Sequence, residues 1–78
     1  MHDDVPMREV TIKDDMIRLG QFLKLADMVE SGSDVKVMLA GSGVLVNGEI
    51  ETRRGRQLLR GDVVTVGDDE LRVSMIPS

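Results

Sequence analysis

Residues 44–52, "VLVNGEIET", constrain the fold more than any other stretch of the chain. An Asn-Gly pair between two alternating apolar runs is the strongest short-range signal for a β-hairpin, because a tight two-residue turn needs positive φ at both central positions. The expectation is a strand, a turn at Asn47-Gly48 and a second strand. Val44, Val46 and Ile50 are expected to face the core, and Glu49 and Glu51 to face water. The alternating texture continues beyond the hairpin. "DVVTV" (62–66) and "LRVSM" (71–75) read as two more strands, joined by the acidic turn "GDDE". The intervening "RRGRQLLRGD" carries the chain onward through Gly55 and Gly61.

Upstream of residue 44 the period is helical. In "IRLGQFLKLAD" (17–27), Leu19, Phe22, Leu23 and Ala26 fall at i, i+3, i+4 and i+7, one apolar stripe of a helix. Asp14-Asp15 stand where they would cap it, after a short strand "REVTI" (8–12). Gly20 weakens the helix by about 1 kcal/mol relative to alanine. It lies beside the stripe, where a missing side chain permits close approach by another element. "ESGSDVKVMLAGSG" (30–43) reads as a second helix, with Ser31 and Asp34 in a capping-box arrangement and Ser33 as another possible cap. Val35, Met38 and Leu39 make its apolar face, and Gly41 and Gly43 supply the permissive backbone that ends it. The order predicts an α+β domain, two helices packed on one face of a small, mostly antiparallel sheet of four to five short strands.

Size and composition exclude several functions. A chain of 78 residues is one domain with a small core. It has no cysteine, so neither a disulfide framework nor a thiolate metal site is available. The single histidine is His2, near a chain end. No nucleophile with a base beside it is evident, and neither catalytic residues, a metal site nor a cofactor is expected. The glycines around Ser42 follow a helix and open a strand, the reverse of a phosphate-binding loop. Asp14-Asp15 and Asp68-Asp69-Glu70 lack the spacing of a calcium loop and sit where caps and turns account for acids. The methionines, spread singly, read as core filler. No apolar run is long enough for a membrane span, and "MHDDVPMREV" does not resemble a secretory signal. A soluble, cytoplasmic protein without a membrane partner, monomeric by default, is expected.

The charge is unevenly placed. The net −4 divides into −3 over residues 1–17, +2 over 18–60 and −3 over 61–78. The basic middle contains Arg53, Arg54 and Arg56 within four positions, just after the hairpin. Such a loop can simply be a solvated guard on a sheet edge. However, Lys24 and Lys36 both lie off the apolar stripes of their helices, and Arg18 opens the first helix. Cations from two helices and a loop suit phosphate contacts, since guanidinium groups grip phosphate oxygens bidentately. Phe22 is the only aromatic residue, and it belongs to the helix stripe. Without aromatic platforms for single-stranded bases, structured RNA read through its backbone is the better physical match.

The string "IRLGQFLKL…ESGSDVKVMLAGSGVLVNGEIETRRGRQLLRGDVVTV" resembles the S-four RNA-binding domain, also called the αL domain. Its landmarks here are Arg18-Leu19, Ser31, Val46-Asn47-Gly48 and Gly61-Asp62 before a β-branched strand. More narrowly, "LGQFLKL", "ESG" and "VNGEIETRRGRQL" look like the stand-alone bacterial S-four-like proteins of the YbcJ/YaaA type. The resemblance divides the chain into an acidic N-terminal segment with a short strand (1–16), the domain proper (17–73) and a C-terminal tail (74–78). It implies an RNA-binding module whose two helices form a recognition face beside a hairpin loop. Carried over, Arg18, Ser31 and Lys36 fall on helix positions that approach RNA, and Arg53, Arg54 and Arg56 on the loop; Lys24 joins the expected site from its place off the helix stripe. Two positions depart from the pattern: Gly32 stands where many members have arginine, and Gly20 where an acid is common. More of the contact is thereby expected on the loop.

The function expected is that of a small, non-enzymatic protein docking structured RNA, ribosomal or transfer. The alternative is a ribosome-associated adaptor whose arginines meet an acidic protein, with ribosomal proteins as partners. A ubiquitin-like carrier is disfavoured, because "SMIPS" lacks the terminal Gly-Gly of such proteins.

Overall fold

A computed structural model of the chain describes residues 7–41 and 43–75. His2, Ser42 and Pro77 lie outside the described residues. Strand β1 (Met7–Ile12) and a short β2 (Met16–Arg18) lead into helix α1 (Leu19–Leu25) and helix α2 (Gly32–Ala40). Five strands follow: β3 (Val44–Val46), β4 (Glu49–Ile50), β5 (Gln57–Leu59), β6 (Val63–Val66) and β7 (Asp69–Met75). The main sheet has the order β1-β7-β6-β3-β4, with β1 parallel to β7 and the other pairs antiparallel. A second, two-stranded sheet pairs β2 with β5. The α+β class holds, but with seven strands among the described residues instead of four or five.

One face of the main sheet is apolar. Val10, Ile12, Val44, Val46, Val64, Leu71 and Val73 point inward against Leu19, Phe22 and Leu23 of α1 and Val35 and Leu39 of α2. The opposite face carries Glu9, Thr11, Thr65 and Arg72, the alternation of a sheet covered on one side only. Met28, Met38 and Met75 pack against the core, whereas Met7 is exposed.

The turn at Asn47-Gly48 forms as expected, with φ of 53° and 87°. The side-chain parity after it is the reverse of the expectation. A two-residue turn pairs Val46 with Glu49 and Leu45 with Ile50, and Glu51 N donates to Val44 O at 3.0 Å. Directly paired residues share a face. Glu51 therefore points inward beside Val44 and is 6% exposed, while Ile50 joins Leu45 on the outer face and is 62% exposed.

The start of α1 also differs from the expectation. Asp14 and Asp15 lie in the bend between β1 and β2, and the N-cap is Arg18, whose side chain makes no capping bond. Met16–Arg18 are extended because they pair with β5, a partner distant in sequence that no local signal announces. The helix closes in a Schellman arrangement, with Asp27 N donating to Lys24 O and Met28 N to Leu23 O. Asp27 takes the left-handed conformation there, at φ 62°. Helix α2 begins at Ser31, whose Oγ accepts from Asp34 N at 3.3 Å, as its capping residues predict. It ends at Gly41 with φ −82°, so this glycine is not used for left-handed freedom.

Candidate RNA-binding cleft

Loop 51–56 crosses from the edge of the main sheet to the β2-β5 pair, and this crossing builds the site. The loop lies over the first turn of α1, where helix N–H groups lack intrahelical partners. Leu19 N donates to Arg56 O at 2.8 Å and Gly20 N to Arg54 O at 2.9 Å. The loop passes within ordinary contact distance of Gly20. A Cβ there would lie 3.5 Å from Arg54 Cβ, Arg54 O and Val35 Cγ1 alike. Arg18 completes the join, its Nη1 donating to Gly55 O at 2.9 Å. The arginine loop is therefore fixed to Arg18 and the first turn of α1 by its carbonyls, and the side chains remain for other work.

Glu51 divides those side chains. Its carboxylate accepts from the backbone N–H groups of Thr52 and Arg53 at 3.1 and 3.0 Å. It also accepts from Arg53 Nε at 3.0 Å, Arg53 Nη2 at 3.3 Å and Arg56 Nη1 at 2.8 Å. The Arg53 side-chain bond, the Arg53 backbone N–H and the Arg56 bond together lower its pKa to about 2, against a smaller opposing effect of burial. Arg53 and Arg56 are thus anchored in an ion-pair network. Arg54, between them, makes no side-chain hydrogen bond or ion pair among the described residues.

Arg54 instead helps to line a cleft of about 250 Å³ together with Arg18, Gly20, Gln21, Lys24, Gly32, Val35 and Gly55. Of the seven residues expected from the sequence, Arg18, Lys24 and Arg54 converge there from β2, α1 and the loop. Ser31 adjoins through Gly32, but its hydroxyl is engaged as the cap of α2. Lys36 is exposed on α2 and does not line the cleft. Arg53 and Arg56 are held by Glu51 and do not line the cleft. Gly20, Gln21, Gly32 and Gly55 were not expected as lining residues. Gly20 carried a signal as the glycine beside an apolar stripe, and Gly32 as the position where related domains often have arginine.

The electrostatics of the cleft suit an anion with a defined position. Three cations surround it, and the N-terminal end of α2, where backbone dipoles favour negative charge, forms one border. Asp14 and Asp15 share a neighbouring depression with Arg18 and Gln21 and set a negative margin on one side. No group of three or more residues suited to holding a metal ion occurs among the described residues, nor is any helix there long and apolar enough to cross a membrane.

A one-sided sheet, two short helices and a loop-built cationic cleft characterise a small α+β domain. Residues 10–74 match the S4 domain, and the chain belongs to that family. The protein is also similar to one from Bacillus subtilis (strain 168) named "Probable ribosome maturation protein RlbA". The two are 53% identical over 57 residues, which cover 73% of this chain and 80% of that protein.

Proposed function

We propose that the protein binds structured ribosomal RNA through the cleft between α1, α2 and loop 51–56, and acts in ribosome maturation without chemistry of its own. The observation that carries this reading is the convergence of Arg18, Lys24 and Arg54 from three separate segments onto one cleft. In a chain of net charge −4, this is a local concentration of positive charge held by backbone hydrogen bonds. Membership of a family of RNA-binding modules supports the choice of RNA, and the name of the Bacillus subtilis relative supports the ribosomal setting. The acidic segments at both ends repel unstructured polyanion and favour a partner that fits the cleft.

Three cations at phosphates correspond to a slope of log K against log salt of about −2 to −3. The test is equilibrium binding to folded ribosomal RNA fragments, a transfer RNA and an unstructured homopolymer across a salt series. The expected result is saturable binding to a folded ribosomal fragment with that slope, weakened in a Lys24→Ala/Arg54→Ala variant. Absence of saturable, salt-sensitive binding overturns the reading. Equal affinity and slope for the double variant overturns the site.

A further inference from the structure

Resting on that reading, we propose that the cleft takes one unstacked nucleobase, so that the RNA recognised carries a bulged or looped-out nucleotide at the contact. A regular duplex backbone needs only a cationic surface, and the exposed Arg18, Lys24 and Arg54 would supply one without any depression between them. The chain has built a depression, and only part of its lining is charged. Gly20, Gly32, Gly55 and Val35 line it beside the three cations and Gln21. The depression keeps the first donors of α1 from a phosphate, because Leu19 N and Gly20 N are already given to the carbonyls of Arg56 and Arg54. It suits the flat face of a base, with flanking phosphates reaching the cations at the rim.

The size agrees with this occupant. About 250 Å³ lies below the ~300–1,000 Å³ of clefts that engulf drug-sized ligands, and leaves room for a single ring system. The lack of aromatic residues is met by Arg54, because a guanidinium plane can stack on a base as an aromatic ring does. Gln21, exposed at the rim, offers both a donor and an acceptor to a base edge. Gly20 is the glycine whose missing side chain widens the space. A Cβ at Gly20 would sit at ordinary contact distance from Arg54 and Val35, so Gly20→Ala narrows the floor without a clash.

The test compares three RNA hairpins that differ at one position: fully paired, carrying a single-nucleotide bulge, and carrying the same bulge with its base removed. Affinities are measured for the wild type and for Gly20→Ala, whose folding is checked by thermal unfolding. The wild type is expected to bind the bulged hairpin at least about fivefold more tightly than the paired one. Removing the base should abolish that preference, and Gly20→Ala should reduce it to less than about twofold. Equal binding of paired and bulged hairpins overturns the inference and leaves RNA binding standing. A preference that survives removal of the base, or survives Gly20→Ala, also overturns it. Failure to bind any of the three removes both the inference and the reading beneath it.

Discussion

Glu51 and Arg56 form a 2.8 Å ion pair in which the carboxylate is 8% and the guanidinium 33% exposed at the side chain. Arg53 binds the same carboxylate from the solvent side, where screening reduces its contribution. Because the folded pKa of Glu51 lies near 2 against an ordinary 4.5, the group stabilises the fold wherever it is ionised in both states. That contribution is complete above about pH 5 and disappears as pH falls through 4.5 towards 2. Glu51→Gln is expected to lower stability by about 1–3 kcal/mol at neutral pH. The gap between variant and wild type should close over that acid window. Denaturant unfolding of both proteins from neutral to acid pH measures it, and a gap independent of pH would show that the ion pair is not its source.

Arg54 and Arg56, two positions apart, should fail in different ways. Arg54 supplies a main-chain carbonyl to Gly20 and a Cβ above it, and alanine keeps both. Arg54→Ala is expected to leave stability within about 0.5 kcal/mol of wild type. It should weaken RNA binding and flatten the salt slope by roughly 0.7–0.9. Arg56→Ala removes the least exposed cation from Glu51 and should cost about 1–3 kcal/mol of stability. Thermal unfolding and salt-dependent binding on the two variants separate these outcomes. The reverse pattern would mean that the roles of the two arginines have been exchanged.

Gly32 is the natural place to strengthen the site. It lines the cleft at the first turn of α2, and a Cβ built there meets nothing within 4 Å. Gly32→Arg adds a cation at the rim and replaces a poor helix former, which itself should raise stability by up to about 0.8 kcal/mol. RNA affinity should rise, and the salt slope should steepen by roughly 0.7–0.9. Binding titrations at several salt concentrations decide the matter; unchanged affinity would place the RNA backbone away from α2.

The sequence made the elements legible where the signal was local, and left their meeting points hidden. The turn at Asn47-Gly48, the cap at Ser31 and the apolar stripe of α1 each depend on residues within a few positions of one another. The inward turn of Glu51 was also accessible, since a two-residue turn puts Glu49 and Glu51 on the face of Val46 and Val44. Hydrophobicity pointed the other way, favouring Ile50 as the inward residue, but register set by the turn prevailed. The reason that a buried carboxylate is tolerated lies further along, in Arg53 and Arg56 curling back to it. β2 was not legible, because it exists only through the pairing of Met16–Arg18 with Gln57–Leu59, and the cleft's cations were legible as a group but not which of them line it. Gly20 announced a close approach without naming Arg54 as the residue that makes it.

Ser31 offers a way to separate scaffold from contact at one position. Its Oγ caps α2 through Asp34 N, and Asp34 Oδ2 in turn accepts from Glu30 N at 3.3 Å. Ser31→Ala removes the cap and should cost about 1 kcal/mol of stability. Ser31→Asp retains an N-cap acceptor of equal quality and adds favourable charge at the positive end of the helix. Its stability should therefore match or exceed that of wild type. The same carboxylate, next to Gly32 at the cleft border, would repel an RNA phosphate. RNA affinity of Ser31→Asp should fall although the fold is intact, and the loss should shrink as salt rises and screens the charge. Thermal unfolding and RNA titration of both variants distinguish the two roles. If Ser31→Asp binds RNA as tightly as wild type at low salt, the N-terminal end of α2 does not face the bound RNA.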